Sequence, residues 1–220
     1  MDHTDTPQKR ILLRSWRCSD SEHQALVMHL DNLNVSKHLR DTVPHPYTMD
    51  DATAWTTYCL NQYPSTEHST TTHETQVTEF AITLAEQPDM PIGGIGLRLG
   101  SGVYRHQAEL GYWLAEPYWG RGIMTAAAMF IVHTYAFTTL NLDRIASGCY
   151  SDNAASRHLL ETKLHMTLEG CRRKACCKNG EFKDELQFGV LKDEFWVVGN
   201  NTNTSKGWVV NVDVFVATPP

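Results

Sequence analysis

The sequence predicts one mixed α/β (α+β) domain, with a central, mostly antiparallel sheet that holds one parallel strand–helix–strand unit and is flanked by helices. Three observations predict it. First, Gly120-Arg121-Gly122 separates a strand-like run at 108–114 from a helical stripe of Ile123, Ala127, Phe130, Ile131 and Tyr135, and a second strand-like run follows at 144–150. Such a unit pairs its strands in parallel through a right-handed connection. Second, Asn179-Gly180 stands between two strand-like runs, and both residues tolerate the positive φ that a two-residue hairpin turn requires. Third, the 220 residues show no internal repeat and have a length that suits one core.

Taken in order, 11–17 reads as an opening strand, and Ser19-Asp20-Ser21-Glu22 has capping-box spacing for a helix whose apolar face is Leu26, Leu30 and Leu33. After the turn-rich 43–47, Thr48 and Asp51 repeat the capping pattern before a second stripe of Ala52, Trp55 and Cys59. Residues 64–76 are almost wholly polar and read as an exposed loop. Phe80, Ile82 and Leu84 alternate, 86–91 carries turn residues, and Ile95, Leu97 and Leu99 alternate again, which predicts a hairpin. The crossover unit follows, then a helix capped by Ser151 or Asp152 with Ala155, Leu159, Leu160 and Leu164 inward, then the Asn-Gly hairpin. The domain is expected to close at 195. For the extension 196–220, an edge strand, a contact between subunits of a homodimer, and a loose appendage are the alternatives. Its polar stretch at 199–207 favours the appendage.

Composition excludes several function classes. A net charge of −6, with no basic run beyond Arg172-Arg173-Lys174, does not support a nucleic-acid partner. No window approaches the roughly 20 apolar residues that span a bilayer, and the first residues lack a signal-peptide pattern, so no membrane association and a cytoplasmic location are expected. Six scattered cysteines without finger spacing predict reduced thiols and no metal site.

The chemistry is concentrated near 120. A glycine turn that opens a helix presents main-chain N–H groups without internal partners at the positive end of the macrodipole, and missing side chains let a pyrophosphate approach. Alone, the same turn is equally a tight structural bend. A dinucleotide fold requires a third glycine and a downstream acidic residue, and a P-loop requires Gly-Lys-Ser/Thr; neither is present.

Several segments in order resemble the GNAT superfamily of N-acetyltransferases, in its RimJ/RimL-like branch: 34–41 with 44–48, 108–113, Glu116-Pro117-Tyr118-Trp119-Gly120-Arg121-Gly122, Asn153-Ala154-Ala155-Ser156, and 184–191. The resemblance covers roughly residues 10 to 195. It implies acetyl-CoA as cosubstrate and a primary amine as acceptor, on a protein N-terminus or a small molecule, attacking the thioester directly. It places the pantetheine arm against backbone groups of Leu114 and Ala115, where two parallel strands splay apart. It places the pyrophosphate on Trp119, Gly120, Arg121, Gly122, Ile123 and Met124, with Asn153 on the arm and Ser156 near the sulfur.

A protonated amine must lose a proton before attack, and Glu109, on the strand entering the splay and on one face with Gly111 and Trp113, is the leading acceptor. A carboxylate paired on the sheet surface is the other reading of Glu109. Ser156 is either a proton donor to the leaving thiolate or an ordinary first-turn serine, and Asn153 is also a preferred helix start. His45 and Tyr47 border the acceptor groove by family analogy, although a histidine there also reads as a solvated loop residue. Tyr112, Trp113, Tyr118 and Trp119 read as core packing or as a cleft lining, with Trp113 the substrate-facing candidate.

Family members end the helix after Asn153 with a Gly-Phe pair. Here Lys163-Leu164-His165-Met166 stands in its place, one residue longer, so a distorted helix end is expected. The competing function is a coenzyme A-binding module without turnover, and a nucleotide-binding regulator is a third.

Overall fold

The computed structural model describes residues 9–61, 77–199 and 208–213, so the polar run at 64–76 falls outside what is described. Among the described residues eight strands form one sheet: β1 (Lys9–Ser15), β2 (Glu79–Leu84), β3 (Gln87–Leu99), β4 (Gln107–Leu114), β5 (Arg144–Tyr150), β6 (Thr167–Lys178), β7 (Glu181–Leu191) and β8 (Trp208–Asp213). Their order is β6-β7-β5-β4-β3-β2-β1-β8, parallel only at β4–β5 and β1–β8. The mixed sheet expected from the crossover and the hairpin is present.

Strand alternation gives the sheet two different faces. Phe80, Ile82, Ile95, Leu97 and Leu110 pack into the larger core with the crossover helix α4 (Ile123–Met129), which continues as π-helix through Thr139. Ala81 and Trp113, on the other face, join Trp16, Leu26 and Leu30 in a smaller core beneath α1 (Asp20–Leu30), α2 (Leu33–Ser36) and α3 (Met49–Asn61). Two helices were expected here and three are present, because Asn32 accepts from the Asn34 N–H and caps a four-residue helix of its own.

The two capping-box spacings have different outcomes. Thr48 and Asp51 close the box reciprocally: the Thr48 N–H donates to Asp51 Oδ2 at 2.8 Å, and the Asp51 N–H donates to Thr48 Oγ1 at 3.3 Å. Ser19 does accept from the Glu22 N–H, but the Glu22 carboxylate turns inward to Arg14, which is fully buried. A buried guanidinium needs a buried counter-charge, and that demand outweighs the box.

The stretch 86–91, expected as a turn, is mostly strand. Only Ala85 and Glu86 turn, and β3 begins at Gln87. Its register there is irregular, Thr83 facing Pro91 and Leu84 facing Gln87, since proline cannot donate to a regular ladder.

At the other hairpin, Asn179 and Gly180 adopt φ of 52° and 82°, as the tight turn demands. The long helix end is distorted as expected: α5 (Ala154–His158) widens into π-helix over Leu159–Lys163. There the Leu164 N–H bonds to Leu159 O five residues back, and Met166 closes onto Leu160 O with His165 at φ 52°. The extra residue is absorbed in the wider turns.

Beyond β7 the chain forms α6 (Lys192–Gly199), and 208–213 adds to the free edge of β1 as β8. The loose appendage is therefore corrected for these residues. An open edge of β1 offers unpaired peptide groups, and Trp208 and Val210 pack against the larger core. Trp208 Nε1 also donates to Arg121 O at 2.8 Å, which ties the tail to the glycine turn. Replacing Trp208 with phenylalanine removes that bond and part of the ring's packing against the larger core, and a stability loss of at least about 0.5–1.5 kcal/mol, read as a lowered melting temperature, is the expected result. No helix among the described residues is long and apolar enough to cross a membrane.

Candidate active site

β4 and β5 pair over only three residue positions, the last of them Glu109 with Ala146. Past that point the strands part. Ser147 Oγ donates to Leu110 O at 2.9 Å at the crotch of the fork. Peptide groups alternate between the two edges of a strand, so those of Tyr112 and Leu114 share the opened edge with Leu110. Two groups expected to be open are already engaged. Leu114 O accepts from Trp119 Nε1 at 2.7 Å, and the Ala115 N–H donates to Ile92 O at 2.8 Å. The β4 edge offers the remainder.

The chain leaves the fork through a short 3-10 turn, Glu116–Tyr118, whose Glu116 accepts from Asn32 and Asn34 and so anchors the turn to α2. Gly120 and Gly122 follow with φ of 69° and 82°. A methyl group at Gly120 would meet nothing within 4 Å, so the left-handed backbone, rather than crowding, is what requires glycine there. Gly122 is the N-cap of α4 and brings no side chain to it, which leaves the first amides of the helix without a protein cap.

Fork and turn open into one cavity of about 1330 Å³. Leu114, Trp119, Gly120, Gly122, Ile123 and Met124 line it on the turn side, with Asn153 and Ser156 at the start of α5 opposite. Asn153 Oδ1 caps α5 by accepting from the Ser156 N–H at 3.1 Å. Trp113 and Tyr47 line the far end, Tyr47 buried and its phenol pushed up by burial. Three expected residues do not line it. Ala115 is buried, Arg121 lies over the Tyr118 ring at 5.5 Å, and His45 sits 3.2 Å from Asp31 in the loop before α3.

Glu109 lines the cavity but is held by two guanidinium groups, Arg40 on one oxygen and Arg98 on the other. Burial alone would raise its carboxyl; the Arg98 hydrogen bond and the Arg40 and Arg98 charges prevail and lower it. That is the surface-paired reading, and it makes Glu109 a weak proton acceptor. A lowered native pKa stabilises the fold above the unfolded carboxylate value, and the contribution is lost as pH falls through the native one. With all three groups in reach of solvent, Glu109→Gln is expected to cost about 0.2–1 kcal/mol at neutral pH and nothing in strong acid, checked by melting at both.

Two residues that sequence reasoning did not assign are prominent. Tyr112, read as core packing or as a cleft lining, sends its hydroxyl to within 2.6 Å of Ser156 Oγ. Burial raises this phenol, so it stays protonated through the neutral range. Glu79, at the start of β2, also lines the cavity, where burial pushes its carboxyl up to about 7 against the pull of Arg98. Gly93, Gly94 and Gly96 within β3 were the available signal, since glycine inside a strand marks a close approach. A methyl at Gly96 would lie 2.0 Å from Glu79 Oε2, and one at Gly94 would lie 2.6 Å from Trp113 Nε1. Among the described residues no group of three or more His, Cys, Asp or Glu is arranged to hold a metal ion.

Against known proteins, the Acetyltransferase (GNAT) domain family model matches residues 10–167. The putative ribosomal N-acetyltransferase YdaF of Bacillus subtilis is 37% identical over 89 residues, 40% of this chain and 48% of that one, so the match spans about half of that relative. The uncharacterized N-acetyltransferase YnaD of the same organism is 28% identical over 187 residues, 85% of this chain and 96% of that one. Among solved structures, RimL, a ribosomal L7/L12 α-N-protein acetyltransferase in complex with coenzyme A, superposes with a TM-score of 0.63 at 20% identity over 81% of this chain and 92% of that one, a likeness of fold. The family match runs from β1 past the fork, the glycine turn and α5, and the chain belongs to the GNAT acetyltransferase family.

Proposed function

We propose that the protein transfers the acetyl group of acetyl-CoA to a primary amine, on a protein N-terminus or a small molecule, by direct attack of the amine on the thioester carbonyl. The observation that carries this reading is the left-handed glycine turn, which sets an uncapped helix start beside a strand fork and opens both into one cavity.

The residues present fit the cosubstrate. Main-chain amides from Gly120 to Met124 suit a diphosphate, because they are oriented N–H donors at the positive end of a helix. The opened edge of β4 at Tyr112 and Leu114 suits the amides of a pantetheine arm, which would lie where a neighbouring strand otherwise would. Asn153 lines the cavity at the start of α5, and because its Oδ1 already accepts from the Ser156 N–H, its N–H₂ group is the part suited to the same arm. The complex of RimL with coenzyme A and the description of YdaF as a putative ribosomal N-acetyltransferase support this class of cosubstrate and acceptor.

Positioning then does most of the catalysis. Holding amine and thioester together supplies roughly 7–11 kcal/mol of a bimolecular barrier, whereas a positioned acid or base contributes about 10²- to 10⁴-fold. Attack forms the N–C bond, and collapse breaks the C–S bond with its electron pair leaving on sulfur. The hydrogen-bonded Tyr112–Ser156 hydroxyl pair supports a role for these two groups in giving that thiolate a proton.

Incubation with acetyl-CoA and a mixture of N-terminal peptides, polyamines and aminoglycosides, followed by mass spectrometry of products and measurement of free coenzyme A, tests the reading. An acetylated amine with matching coenzyme A release is expected. Uptake of acetyl-CoA without release in the presence of every acceptor identifies a binding module instead.

A further inference from the structure

Resting on the amine-acetylation reading, we infer that Glu79, and not Glu109, is the catalytic residue that receives the proton of the acceptor ammonium group.

The placement follows from register. Glu79 pairs across β2–β3 with Gly96, and Gly96 pairs across β3–β4 with Gly111, so the three share one sheet face, the face of Glu109 and Trp113. Neither glycine raises a side chain between Glu79 and the fork, and a methyl at Gly111 would meet nothing within 4 Å. Adjacent strands lie about 4.8 Å apart, so the Glu79 backbone stands about 10 Å from β4 across a bare floor, a gap that a glutamate side chain and an amine can fill together.

The walls suit a cation that sheds its charge. Trp16 and Trp55 meet edge to face at 6.1 Å, Trp55 stacks on Tyr58 at 5.7 Å, and all three line the cavity with Glu79. Trp16 Nε1 is buried without a hydrogen-bond partner, a donor left for something that enters. Glu109 is spoken for by Arg40 and Arg98.

The groups facing Glu79 leave it free to titrate. From β3, Arg98 is shared with Glu109; from α3, Cys59 is buried and its thiol pushed well up; and Glu22 of α1, the other carboxylate near Cys59, is paired with Arg14. Burial dominates, and it leaves the Glu79 carboxyl near neutrality, where a general base works best. The protons balance as follows: the ammonium gives one proton to a Glu79 oxygen, which passes it to solvent, and the freed lone pair forms the N–C bond. The second N–H proton, lost on collapse, replaces the one that the Tyr112–Ser156 pair gives to sulfur.

The test is the pH dependence of coenzyme A release by wild type and Glu79→Gln, with acetyl-CoA affinity measured alongside by calorimetry. Expected for the wild type is an acidic limb near pH 7. For the variant, a loss of about 10²-fold or more in kcat at pH 7 is expected, shrinking as the pH approaches the amine's own pKa, with acetyl-CoA affinity unchanged. A wild-type profile flat between about pH 6 and pH 8, a variant that turns over like the wild type, or an equal loss at every pH overturns the assignment. A flat wild-type profile overturns the assignment even if the variant does not fold. A wild type that takes up acetyl-CoA and releases none overturns the amine-acetylation reading itself, and this assignment with it.

Discussion

Valine at Gly122 or Gly120 is expected to weaken acetyl-CoA binding by about 5- to 150-fold, since a β-branched residue forced into the left-handed region costs of order 1–3 kcal/mol. Both glycines hold φ well above zero, and at Gly120 the space beyond Cα is empty, so the cost there comes from the backbone alone. To relieve it the turn must rotate its peptides, and the rotated N–H groups then point away from the diphosphate. Gly111→Ala is the control: it lines the same cavity in a strand of β4 and has open space for its methyl. Calorimetric titration of the three variants, each checked by thermal melting, is expected to single out the two turn variants.

The second large effect is expected at Tyr112. Phenylalanine keeps the ring packed against the larger core and removes only the hydroxyl bonded to Ser156. If this hydroxyl pair supplies the proton to the thiolate, kcat is expected to fall by about 10²-fold with the acetyl-CoA KM little changed. Ser156→Ala breaks the same relay, so the double variant is expected to be no worse than the more damaged single one, because groups that act as a unit are not additive. Additive losses would instead assign the two hydroxyls separate roles.

Fold and turn were legible because they rest on local chemistry. The Asn-Gly hairpin, the Thr48–Asp51 box and the glycine turn each state their geometry within four residues, and the structure holds all three. The crossover needed only periodicity and a handedness rule. Expectation and structure part where a distant partner decides. Glu22 leaves its box because Arg14 is buried beneath it, and Glu109 becomes an ion-pair carboxylate because Arg40 and Arg98 converge on it from the loop after α2 and from β3. No spacing in the chain announces such partners. Glu79 was hidden for the same reason: as the first residue of a strand it looks like a solvated end, and only pairing with Gly96 reveals what it overlooks. The tail deceived in the opposite sense, a polar stretch suggesting detachment while the open edge of β1 supplied a partner for 208–213.

The most direct measurement compares calorimetric binding of acetyl-CoA with that of S-acetylpantetheine, which carries the thioester and the arm but no diphosphate. If the glycine turn grips the diphosphate, acetyl-CoA binds at least about 10-fold more tightly, and Gly122→Val removes most of that advantage. Equal affinity for the two thioesters, or no uptake of acetyl-CoA at all, contradicts the account.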